Sequence, residues 1–203
     1  VALVGRILKA RQDNGLGYGL IASNYDTELF GHWWFEGVDW LKQVLRGLAE
    51  SPDVDLVTAS GYIEEHPPQE VLHLPEGSWG AGGTHFTWNN REVEWMWPPL
   101  HEASATLQHL AKEYSDRYDD EDIRGVLNQA AREMLLAESS DWPFLVTTGQ
   151  ARNYAIQRYS QHLERFHNLV DSVENGTPDG DLAGSYWELD RIFPDIDYRW
   201  WAQ

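Results

Sequence analysis

Apolar residues recur along this chain at two different rhythms. In the second half the period is helical. Ile123, Val126, Leu127, Ala130, Ala131, Met134 and Leu135 form one stripe, spaced by three and four residues. Tyr154, Tyr159, Leu163, Phe166, Leu169, Val170 and Val173 form a second, and Asn175-Gly176 follows it as a stop signal. Residues 181–193 predict a last short helix. Between the stripes, residues 139–149 (SSDWPFLVTTG) read as a short connection containing Pro143. Residues 91–203 are thus expected to be almost entirely helical.

Residues 1–90 have another texture, rich in glycine and aromatics. Residues 1–9 read as the end of a helix. Val38, Leu41, Val44, Leu45 and Leu48 have helical spacing. Two short runs bounded by turn residues, 17–22 (GYGLIA) and 54–58 (VDLVT), predict buried strands. Ser60 is a candidate cap for a brief helix ending near Pro67. Residues 71–74 form an apolar stretch that runs into a glycine-rich loop, 77–83. Strands separated by helices suggest β-α units and a parallel sheet. No internal repeat or low-complexity tract interrupts the chain.

Composition narrows the class. A chain of 203 residues is one ordinary domain or a piece of a larger one, and 42% hydrophobic residues allow a packed core. Acidic residues outnumber basic ones 33 to 15, for a net charge of −18. That balance argues against nucleic acid and anionic membranes as partners, because phosphate binding needs clustered Lys and Arg. No apolar run is long enough to cross a bilayer. The absence of cysteine excludes disulfides, thiol catalysis and Cys-ligated zinc. It fits a reducing compartment, and a cytoplasmic location is expected. The chain opens on Val1 rather than Met, which suggests a fragment. Eleven tryptophans in such an acidic chain serve either as an aromatic core or as flat platforms for neutral sugar rings.

Two segments concentrate chemistry. The first is residues 25–37, YDTELFGHWWFEG. It follows a predicted strand, and in parallel α/β folds reactive side chains sit at the carboxyl ends of strands. Asp26 has that position. The plainer reading makes Asp26 a helix cap, with Trp33 and Trp34 in the core. The second segment is the loop holding Glu76, Trp79, His85 and Trp88. A tryptophan beside Gly77, Gly80, Gly82 and Gly83 has little core to fill, so Trp79 and Trp88 fit a platform role; buried loop anchors are the alternative. Glu76 either hydrogen-bonds sugar hydroxyls or fixes the loop. His32 and His85 have no partner at a zinc spacing, so no metal is expected. His32 orients a carboxylate or a sugar hydroxyl, or is structural. Asp141 and Trp142 either line a groove as an exposed pair or merely precede a helix stop at Pro143. Trp95, Trp97, Trp187, Trp200 and Trp201 are taken as packing residues.

YDTELFGHWWFEG resembles the fourth sequence region of glycoside hydrolase family 57. PEGSWG (75–80) with GTHFTWNN (83–90) resembles the fifth region as found in the branching enzymes of that family. EMLLAESSDWPF (133–144) resembles their C-terminal helical subdomain. The resemblance implies an α/β fold, the C-terminal part of an incomplete (β/α)7 barrel over residues 1–90, followed by an all-α subdomain over 91–203. It implies a retaining transglycosylase acting on α-1,4-glucan donor and acceptor chains, without a cofactor. Asp26 then maps onto the general acid/base, with Trp79, Trp88, His32, Glu76, Asp141 and Trp142 as substrate contacts. Retention needs a second carboxylate about 5 Å away across the scissile bond. In the family that nucleophile lies in an earlier region, so it is expected outside this chain, on an N-terminal part that would be a partner. The isolated chain is expected to be inactive. A 4-α-glucanotransferase or α-amylase of the same family, or a non-catalytic glucan-binding module, are the competing readings.

Overall fold

The computed structural model describes residues 1–202. They divide into two compact units, Val1–Leu74 and Pro75–Gln203.

The first unit holds three helices: α1 (Ala2–Asp13), α2 (Gly37–Ala49) and α3 (Ala59–Glu65). The amphipathic spacing at 38–48 forms α2 as expected. The cap of α3 is Thr58 rather than Ser60; its hydroxyl accepts from the Gly61 amide at 3.2 Å. The expected strands do not form. Among the described residues the β pairing is an isolated bridge between Phe30 and Trp34. The physical reason is the lack of a partner. A strand leaves its backbone groups unpaired unless a neighbour completes the ladder. Leu20, Ile21, Leu56 and Val57 are exposed, and Val71, Leu72 and Leu74 more so. The α/β expectation for residues 1–90 is therefore corrected: this segment is helix and loop, with no sheet. Gly37 alone is buried among residues 1–74.

The second unit is an all-α assembly with a real core. Its helices are α4 (Trp97–Glu113), α5 (Glu121–Ala137), α6 (Asp141–Thr148), α7 (Arg152–Glu174) and α8 (Gly180–Leu189). Pro98 and Pro99 open α4, where the missing N–H has no helical acceptor to lose. Asp120 caps α5 by accepting from the Ile123 amide at 3.2 Å, and Asp179 caps α8 by accepting from Leu182 at 2.8 Å. α7 ends at the expected place, with Gly176 at φ 73° after it.

Both stripes face inward except at Tyr154, which is exposed near the start of α7. Val126, Leu127, Ala130 and Met134 of α5 pack in one cluster with Phe166, Leu169 and Val170 of α7 and Leu107 and Leu110 of α4. Tyr198 closes the core from the carboxyl end, donating from its hydroxyl to the Tyr114 carbonyl at 2.7 Å. Tyr159 donates to the Met96 carbonyl, and burial pushes its phenol up to about 12.

Pro143 does not stop a helix. It is the third residue of α6, inside the first turn, so no hydrogen bond is lost there. Trp97 and Trp201 pack against the core and Trp187 is half-buried, as packing residues should be. Trp95 and Trp200 are exposed instead.

Candidate functional site

The loop at 75–90 belongs by its contacts to the second unit, although its sequence texture groups it with the first part. Its backbone is closed by short-range bonds. The Ser78 amide donates to the Gly83 carbonyl at 3.1 Å, and the Ala81 amide donates to the Thr87 hydroxyl at 3.2 Å. Gly82 and Gly83 both lie at positive φ, 69° and 70°. Gly80 serves another purpose. A Cβ there would fall 2.7 Å from Cζ3 of Trp88 and 2.8 Å from the Thr87 hydroxyl. Only glycine lets the chain pass that close to the indole.

This loop brings Trp79 and Trp88 together. Their rings meet edge to face, with centroids 4.8 Å apart and planes at 76°. Phe144 of α6 stands behind Trp79 at 5.9 Å. The two indoles differ in exposure. Trp79 is 79% exposed. Trp88 is half-buried, and its carbonyl accepts from the Trp97 indole N–H at 3.0 Å. Trp79 is thus not buried as a loop anchor, whereas Trp88 is partly buried and helps to fix the loop. Asn90 ties the loop to α6, donating from Nδ2 to the Thr147 hydroxyl at 2.9 Å. Glu76 pairs with His85, Oε1 to Nε2, at 3.1 Å on the surface. Both groups are exposed, so the pair does little for stability and leaves the carboxylate reachable.

Asp141 and Trp142 begin α6, and the two differ. Asp141 is exposed at the helix N-terminus, where a carboxylate is favoured, and its Oδ2 accepts from the Ser139 hydroxyl at 3.2 Å. Trp142 is not the exposed partner expected. It is half-buried, donates to the Leu136 carbonyl at 2.8 Å, and stacks on His162 with centroids 6.3 Å apart. It reads as packing.

The string 25–37 lies in the first unit. Asp26 is exposed and has extended backbone, φ −64° and ψ 131°, ahead of the 3-10 turn Thr27–Leu29. Its side chain makes no cap bond. It therefore does not stand at the end of a strand, and its side chain does not cap the turn that follows. The chain then doubles back: the Trp34 amide donates to the Leu29 carbonyl at 2.8 Å, and the Gly31 amide donates to the Trp34 carbonyl at 2.9 Å. Phe30, Trp34 and Trp40 gather beneath, with Trp34 and Trp40 at 5.1 Å. Gly37 fits under them because a Cβ would approach Cα of Phe30 and Cε3 of Trp34 to 3.1 Å. His32 is exposed and packs edge-on to Trp33 at 5.3 Å. Trp33 is 70% exposed rather than core.

Sequence reasoning missed a buried polar network in the second unit. Glu133 of α5 accepts from Gln129 at 2.8 Å and lies 2.6 Å from Nδ1 of His162 on α7. Asp190, just after α8, takes Arg158 and Arg165, each at 2.9 Å. Burial alone would raise the Asp190 carboxyl, but the two guanidiniums hold it below its ordinary value. A signal existed. Glu133 falls on the register 126, 130, 133, 137 of its own apolar stripe, and His162 on 155, 159, 162, 166 of the other.

Comparison with known proteins bears on this arrangement. The family described as "1,4-alpha-glucan branching enzyme, C-terminal" matches residues 99–201. A 1,4-α-glucan branching enzyme of Thermococcus kodakarensis is 44% identical over 174 residues, covering 85% of this chain and 25% of that protein. The crystal structure of a GH57-type branching enzyme from Pyrococcus horikoshii superposes with a TM-score of 0.73 at 43% identity, covering 100% of this chain and 38% of that one. The α-amylase AmyC of Thermotoga maritima superposes with a TM-score of 0.69 at 35% identity, covering 100% of this chain and 37% of that one. This chain thus spans well under half the length of these relatives, and it belongs to the C-terminal branching-enzyme family of glycoside hydrolase family 57.

Proposed function

We propose that this chain is the part of a retaining α-glucan transglycosylase that carries the general acid/base and an acceptor platform, and that the enzyme forms α-1,6 branches in an α-1,4-glucan. The observation that carries the reading is the exposed Trp79 indole, set edge-on against Trp88, in a chain of the branching-enzyme family. A flat apolar ring with open faces suits the C–H face of glucose, and the −18 charge suits a neutral ligand.

In this mechanism Asp26 protonates the leaving glycosidic oxygen, and a nucleophilic carboxylate outside this chain takes the donor glucan as a covalent intermediate. Asp26 then accepts the proton of the incoming 6-hydroxyl of an acceptor glucan. Trp79 and Trp88 hold that acceptor against competition from water, and Glu76 binds its hydroxyls.

The test is Asp26→Asn in an active enzyme that contains this chain. The variant loses cleavage of α-1,4-glucan, read as persistence of iodine staining, while its circular dichroism is unchanged. Staining lost at the parent rate rejects the assignment. The likeness to an α-amylase supports a second reading, in which water is the acceptor. New α-1,6 linkages counted by proton NMR against new reducing ends separate the two.

A further inference from the structure

Beside the aromatic loop the second unit carries an open depression of about 570 Å³, lined by Trp88 but not by Trp79. The volume lies within the roughly 300–1,000 Å³ of small-molecule sites. Trp88 and Trp97 wall it, joined by the bond from the Trp97 indole N–H to the Trp88 carbonyl. Its rim carries Asn89, Glu94 and His101. Glu94, Trp97 and His101 follow at intervals of three and four, so they share one side of α4 and the turn before it. The imidazole of His101 lies 6.3 Å from the Trp97 ring, tilted at 35°. Among the described residues no side-chain hydrogen bond or ion pair engages Asn89, Glu94 or His101. The polar atoms of these three groups are thus free to meet a ligand.

We infer that this depression is a further glucosyl-binding subsite, which takes the next part of an α-1,4-glucan chain resting on Trp79 and Trp88. The inference depends on the acceptor reading above and extends it to residues that the sequence assigned to packing or left unassigned. The chemistry selects a neutral polyol. Two indoles offer apolar faces to sugar C–H groups. An amide, a carboxylate and an imidazole at the rim together supply donors and acceptors for neighbouring hydroxyls. An anionic ligand is disfavoured, because Glu94 lies on the rim and the whole chain is strongly acidic. Continuity comes from Trp88, which both touches Trp79 and lines the depression.

The experiment titrates the whole 203-residue chain with maltoheptaose by calorimetry, comparing the parent, a Glu94→Gln/His101→Ala double variant and Trp79→Ala. Both rim side chains are exposed, so the double variant keeps the parent's melting temperature. It is expected to bind about tenfold more weakly, the scale of two lost hydrogen bonds. Binding by the double variant within twofold of the parent, with Trp79→Ala clearly weakened, overturns the subsite and leaves the acceptor reading standing. Weakening by the double variant but not by Trp79→Ala keeps the subsite and removes Trp79 from it. A parent chain that binds no maltoheptaose overturns both.

Discussion

Glu133 and His162 form a contact between α5 and α7 in which both side chains are fully buried, Oε2 to Nδ1 at 2.6 Å. Gln129 satisfies the other carboxylate oxygen from one turn away. A carboxylate is tolerated in an apolar core only with such partners. Removing it leaves a buried imidazole and a buried amide unmatched. Glu133→Ala is expected to lower stability by about 3–5 kcal/mol, read by urea unfolding of the helical unit's signal. A loss under about 1 kcal/mol contradicts the burial described for this pair.

Asp190 gives a pH dependence. Its carboxyl is held below its ordinary value by Arg158 and Arg165, against the opposing effect of burial. A carboxyl lowered in the folded state adds stability above its unfolded pKa, about 3.9, and loses it as pH falls through the folded value. Asp190→Asn is therefore expected to destabilise the chain at pH 7 by about 1–3 kcal/mol. The difference from the parent shrinks as pH falls from about 5 toward 2. Asp120 and Asp197 are lowered as well, but they are common to both proteins and cancel in the comparison. Thermal melts across that range check it; a difference independent of pH contradicts it.

Trp79 and Trp88 should separate binding from stability. Trp79→Ala removes an exposed ring and is expected to leave the melting temperature unchanged while weakening glycogen retention in an affinity gel. Base–aromatic stacking, at roughly 1–3 kcal/mol per ring, sets the order of magnitude taken for a sugar. Trp88→Ala removes a half-buried ring and costs about 1–2 kcal/mol of stability besides. Equal loss of stability in both variants would make Trp79 an anchor.

Gly80 tests the loop geometry. Gly80→Ala drives a methyl toward Trp88 and the Thr87 hydroxyl and must displace one of them. Weaker glycogen retention and a shifted tryptophan emission are the expected result. Gly82→Ala is a useful contrast: it meets no neighbour, but it strains a backbone at φ 69°.

The two units should differ in local stability. The first buries Gly37 alone, whereas the second has a continuous core across α4, α5 and α7. Amide hydrogen exchange is expected to be slow in α5 and α7 and fast throughout residues 1–74. Comparable protection in α2 would show burial there that the structure does not contain.

The helical unit was legible in the sequence because its information is local. Stripes at 123–135 and 154–173 and a stop at Asn175-Gly176 need only the helix's own period and caps, as does the spacing at 38–48 that forms α2 in the first unit. The motif strings likewise marked Asp26, Trp79 and Trp88 as positions of interest. Tertiary structure decided the rest, because the rest depends on partners distant in sequence. The apolar runs at 17–22 and 54–58 carry strand composition, but a ladder needs a neighbouring strand and none pairs with them, so they stay open. Pro143 is harmless where the fold makes it part of a first turn. By sequence, Trp142 and Trp79 are both candidate substrate contacts in loop segments, yet one packs on His162 and the other faces solvent. Glu133 and His162 stand 29 residues apart, and only the packing of α5 on α7 turns two polar residues on separate stripes into one buried pair.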